Sequence, residues 1–141
     1  MAKGTEVIKD KKGNTVAIII YNDYCKEGVC FLTPGDFSQQ LAFISHKSGK
    51  VIPAHVHNVT KRKIHTTQET LFIKKGKVKI NFYNNNKTYF DSRTLGAGDV
   101  ILLVSGGHGF EILNDVAMVE VKQGPYVNDS VDKIRFKGIE K

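Results

Sequence analysis

Tryptophan is missing from this chain of 141 residues, and methionine, cysteine and proline occur only two, two and three times. Cys25 and Cys30 stand in a Cys-x4-Cys spacing with no second pair. That excludes a disulfide-stapled scaffold and gives no two-pair zinc knuckle, so both are read as plain, half-buried thiols. A long apolar run is also missing. The longest stretch, Val16 to Tyr21, falls far short of the ~20 residues a membrane-spanning helix needs. The opening MAKGTEVIKD has no apolar h-region of a signal peptide, so a cytoplasmic location with reduced thiols is expected.

Acid is scarce. Fourteen Asp and Glu face 21 Lys and Arg, a formal net charge of +7. The basic residues gather at Lys9 to Lys12, Lys61 to Lys63 and Lys74 to Lys79. They are not interleaved with stacking aromatics, and no helix-turn-helix, RNA-recognition or zinc-finger spacing accompanies them. Nucleic acid is therefore not the expected partner, and neither is a membrane. A small anionic ligand is. With 40% hydrophobic and 25% charged residues, the chain has the composition of an ordinary globule with a real core.

Helical periodicity is lacking too, since no window of eleven or more residues carries the i, i+3, i+4, i+7 apolar stripe. The apolar period is close to two, and turn residues recur every 8 to 12 positions, which predicts an all-β antiparallel sandwich or barrel of nine or ten short strands. A first hairpin is expected from Thr5–Ile8 and Thr15–Tyr21 around residues 11–14. Further strands are expected over Phe37–Ser45, Val51–Val56, Lys87–Arg93 and the apolar run Val100–Val104. Two more hairpins follow: Glu69–Ile73 with Lys77–Tyr83 across Lys74-Lys75-Gly76, and Phe110–Leu113 with Val116–Lys122 around Asn114-Asp115. Parity places Glu69, Leu71 and Ile73 on one face before Gly76, and Val78, Ile80 and Phe82 on the apolar face after it. One domain over residues 1–141 is expected, with a barrel core at about 31–122 and a polar tail over 127–141 anchored by Val131, Ile134 and Phe136.

What the sequence does have is a histidine cluster. His55 and His57 alternate on one strand face, so both imidazoles can reach one metal ion. Glu69 falls on the core side of its strand, where a carboxylate is costly unless paired, protonated or metal-bound. His108 lies between glycines in Ser105-Gly106-Gly107-His108-Gly109, which suits a side chain aimed into a cavity. His46 has no partner in sequence and reads as a surface residue.

This pattern resembles the cupins. Their first motif is met by Gly49, five residues, His55-x-His57, then Glu69, six residues and Gly76, with Pro53 before the histidines and an eleven-residue segment between His57 and Glu69. Their second is met in part by Gly98, five residues, Val104-x-Gly106 and His108. The strings Gly106–Glu111 and Glu120–Tyr126 are similar to small cupins associated with surface-polysaccharide and sugar metabolism. The resemblance implies a double-stranded β-helix, or jelly-roll barrel. It also implies a divalent transition metal (Fe, Mn, Ni, Zn or Co) on His55, His57, Glu69 and His108, and commonly a homodimer closed through edge strands. Lys61, Arg62, His65, Gln68 and Tyr83 are the candidates for substrate contact, the cations as an anion clamp on the inserted segment.

Three functions remain open from the sequence. The first is a metal-dependent enzyme acting on a small polar or anionic metabolite such as a sugar or sugar phosphate. The second is a metal-free sugar-nucleotide isomerase or epimerase with His57 or His108 as base, and the third a non-catalytic ligand-binding barrel.

Overall fold

The structure is a computed structural model and describes residues 3–141, so the first two residues of the expected domain lie outside the described residues. Two compact units are present: Met1–Tyr24 with Thr67–Lys141, and Cys25–Thr66.

The larger unit is an antiparallel sheet of six strands. These are β1 (Thr5–Lys9), β2 (Thr15–Ile20), β5 (Glu69–Tyr83), β6 (Tyr89–Gly96), β7 (Val100–Leu103) and β8 (Gly107–Lys122). They run in the order β1-β2-β7-β5-β6, and β8 pairs with β5. A single turn of helix, α1 (Asp129–Asp132), is capped by the Asn128 side chain. The smaller unit holds the two-stranded ribbon of β3 (Gly28–Phe31) and β4 (Ala42–Ser45). The all-β, antiparallel expectation holds at this level, with the sheet curled into a half-barrel.

The first hairpin forms as predicted, with Val7 opposite Ile18. Val100–Leu103 sits between β2 and β5, and Ile101, Leu102 and Leu103 are all buried although they alternate between the two faces. The two later hairpins do not form. Glu69 to Tyr83 is one continuous strand, Gly107 to Lys122 is another, and the two pair with each other from Glu69 opposite Lys122 to Tyr83 opposite Gly107. The residues that signal turns, Gly76 and Asn114-Asp115, lie where the register of this ribbon slips between Ile73 and Val78. A glycine at positive φ serves a bulge as well as it serves a tight turn. The bend changes β5's second neighbour, which is β7 along Glu69–Phe72 and β6 along Lys77–Tyr83.

The parity switch at Gly76 survives the correction. Leu71 and Ile73 before the bend, and Val78, Ile80 and Phe82 after it, all enter one core with Ile8, Ala17, Ile19, Leu95, Ile101 and Leu103. Asp99 fixes the β6–β7 turn from a buried position. Its carboxylate accepts from the backbone N–H of Asn22 at 2.8 Å and of Gly96 at 2.7 Å. Asp99→Ala leaves both amides without that acceptor and is expected to lower unfolding free energy by about 2 kcal/mol, measured by urea denaturation.

The expected strand at Val51–Val56 is absent, and Phe37–Ser45 contracts to β4. Residues 51–65 are exposed and outside any ladder. A strand is stabilised by its partners, and β-branched composition alone does not supply one.

The tail from residue 133 onward contacts the outer face of the β5–β8 ribbon. Phe136 stacks edge-on against Tyr83 at 5.0 Å. The Tyr83 hydroxyl donates to Glu140 and accepts from the Ile139 N–H at 2.8 Å. Asn81, fully buried, donates through Nδ2 to both Glu111 and Glu140 at 3.0 Å. Burial works to raise the Glu140 carboxyl, but the hydrogen bonds from Tyr83 and Asn81 outweigh it and hold it below the ordinary range.

Candidate functional site

The inner face of the curled sheet follows from register, because directly opposed residues share a face. His108 is opposite Phe82 and Phe110 opposite Ile80, so both side chains belong to the core side. At the other end of the ribbon Glu69 is opposite Lys122 and Leu71 opposite Glu120. Glu69, Glu120, Lys122 and His108 therefore all rise from the concave face. Although Glu69 and His108 sit at opposite ends of the ribbon, the bend at Gly76 brings them together. His108 Nε2 lies 3.4 Å from Glu69 Oε2.

Electrostatics differ between the two carboxylates. The hydrogen bond from His108 holds the Glu69 carboxyl below the ordinary carboxylate range against the opposing effect of burial. Burial first, and then the Glu69 charge beside it, push the Glu120 carboxyl up. Two neighbouring acids are thus shifted in opposite directions. Lys122 is on the same face, with its ammonium 3.1 Å from Asp132. That hydrogen bond raises its pKa.

A second polar cluster borders the same core. Arg93 clasps Glu6 through Nε and Nη2 at 2.9–3.1 Å, Tyr21 donates to Glu6 at 2.8 Å, and Asp91 pairs with Arg93 at 2.9 Å. The Tyr21 phenol is pushed up to about 12 by burial and by Glu6. The Arg93 hydrogen bond holds Glu6 below its ordinary value of 4.5. A lowered carboxyl contributes stability above the unfolded-state pKa, and that contribution fades as pH falls through the folded value. Glu6→Gln is expected to cost about 1 kcal/mol at neutral pH. It should converge on the wild type below pH 4.5, as read by thermal unfolding across pH.

The remaining sequence candidates are divided between the two units. Gln68, expected to face outward, is buried, and its backbone N–H donates to Gln123 Oε1 at 2.7 Å. Tyr83 alternates with Phe82 and so belongs to the outer face, where its hydroxyl is held by the tail. Lys61, Arg62, His65, His55 and His57 are exposed residues of the smaller unit. The His55 and His57 rings meet edge-on at 5.3 Å, and His55 Nδ1 lies 3.0 Å from the Pro53 carbonyl. Arg62 and Lys63 line a groove of about 660 Å³ with Asp36, Phe37, Ser38 and Gln40. Glu120 was missed from sequence, because Val119 and Val121 suggest the opposite parity for this stretch.

The donor set implied by the resemblance can be tested on this geometry. Glu69 and His108 make one pair of donors and His55 and His57 another. Among the described residues no group of three or more His, Cys, Asp or Glu is placed to hold a metal ion. No family model, no curated protein and no solved structure matches this chain.

Proposed function

We propose that the chain is a small cupin-like enzyme that moves a proton within a polar, anionic metabolite of the sugar or sugar-phosphate class, in an isomerase or epimerase reaction. The contact between His108 and Glu69 on the concave face carries this reading. With Nε2–H directed at Glu69, the Nδ1 lone pair of neutral His108 is the base. It takes a proton from the carbon beside a carbonyl, and the electron pair moves into that carbonyl to give an enediolate. Glu69 stabilises the imidazolium so formed. Return of the proton to the neighbouring carbon, or to the other face of the same carbon, completes the reaction with no net oxidation. The overall +7 charge favours encounter with an anionic substrate.

The test is a turnover screen of keto- and aldo-sugars, their phosphates and sugar nucleotides in D2O after exhaustive chelation. Solvent deuterium incorporated at the carbon beside the carbonyl supports the proposal. Turnover that disappears on chelation and returns with one added divalent metal overturns the metal-free chemistry. It would favour instead the metal-dependent reading, to which Glu69 and His108 contribute two suitable donors. Thermal stabilisation by a sugar with no product formed would identify a receptor.

A further inference from the structure

His108 has a glycine on each side, and the space those glycines leave is filled from outside. Side chains alternate along a strand, so Gly107 and Gly109 face outward where His108 faces the concave side. Gly107 is directly opposite Tyr83, and Gly109 directly opposite Asn81. Each cross-strand pair therefore forms a notch, with a polar side chain as one wall and bare backbone as the other. The tail fills both notches. A Cβ on Gly107 would come within 3.0 Å of the Phe136 ring, and one on Gly109 would overlap the Glu140 carboxylate. Tyr83 and Asn81 hydrogen-bond that same carboxylate. Although both belong to the outer face, they are 2% and 0% exposed.

The tail itself has a period of two. Phe136, Gly138 and Glu140 are half-buried, whereas Lys137, Ile139 and Lys141 are exposed. A Cβ on Gly138 would strike the Tyr83 hydroxyl, which instead accepts from the Ile139 N–H. Residues 134–141 belong to no ladder and no helix. Held largely by side chains, such a segment opens at a lower free energy than the sheet beneath it.

We propose that the docked tail is a strap that sets the position of His108, with Glu140 as a positioning residue for the contact between His108 and Glu69. When seated, Phe136 and Glu140 bear on the backbone at either side of His108 and fix the strand end from which the imidazole reaches Glu69. When the tail lifts, that end is bare and the imidazole loses its fixed approach. The His108–Glu69 contact is then populated no more than the docked tail is, which makes residues 136–140 a control element for the concave face. As regulation of a catalytic site, this rests on the chemistry proposed for His108 and Glu69. As a statement about their contact, it stands or fails separately.

NMR on the full chain, with no substrate present, reads both halves. Amide exchange at Ile139 reports the seated tail, and the nuclear Overhauser effect between the His108 ring and the Glu69 side chain reports the contact. Gly109→Ala places a methyl in one notch, where it meets the far end of the flexible Glu140 side chain, so the tail gives way and the sheet does not. Phe136→Ala combined with Glu140→Ala empties both notches and leaves every strand as it is, so it decides even if Gly109→Ala fails to fold. In each variant Ile139 is expected to lose its protection and the Overhauser effect to vanish, while the amides shared by β2 and β7 exchange as in the wild type. An Overhauser effect that survives an unseated tail overturns the proposal. So does an Ile139 amide that is unprotected in the wild type, or one that stays protected in both variants.

Discussion

Gly76→Val is expected to lower the unfolding free energy by about 4 kcal/mol, combining a left-handed backbone conformation with an overfilled contact. Gly76 has a φ of +83°, and a Cβ there would fall 2.0 Å from the Asp115 carbonyl oxygen and 2.9 Å from Val116 Cα. Both neighbours are backbone of the paired strand, so neither can swing aside as a side chain would. A loss of that size is a large part of the ~5–15 kcal/mol that holds a domain of this kind together. Urea denaturation of the two proteins measures it. An effect below 1 kcal/mol would mean that the ribbon bends elsewhere.

His108→Ala is expected to lower kcat by two to four orders of magnitude, the usual contribution of a positioned general base. Glu69→Gln removes the charge that steadies the imidazolium and should lower kcat by less. The double variant should be no worse than His108→Ala alone, because the two residues act as a unit. Both are measured by turnover of whichever substrate the screen identifies, with KM followed separately. If His108→Ala retained full kcat, the concave-face dyad would have no catalytic part.

The period of two, the first hairpin and the buried run Val100–Leu103 could be read from the sequence because each depends on residues close together in the chain. So could the side of the strand on which Glu69 falls, and the parity switch at Gly76. What pairs with Glu69–Tyr83 could not be read. The same glycine and Asn-Asp signals serve a hairpin turn and a bulge, and only the partner strand decides between them. The Glu69–His108 contact depends on that bend and so was beyond local spacing. Glu120 was hidden by its neighbours: valines at 119 and 121 imply an inward face that the fold turns outward. Val51–Val56 shows the reverse case, in which strand-forming residues have no ladder to join.

The β5–β8 ribbon also constrains how the chain can fold. No turn joins the two strands at Tyr83 and Gly107, because β6 and β7 lie between them in sequence. The ribbon therefore cannot zip up from a local hairpin, and its first pairs must wait for a long loop to close. Contacts of such high sequence separation place refolding toward the millisecond-to-second range rather than the microsecond range. The Glu69–His108 contact, which needs both ends of the ribbon and its bend, belongs among the last to form.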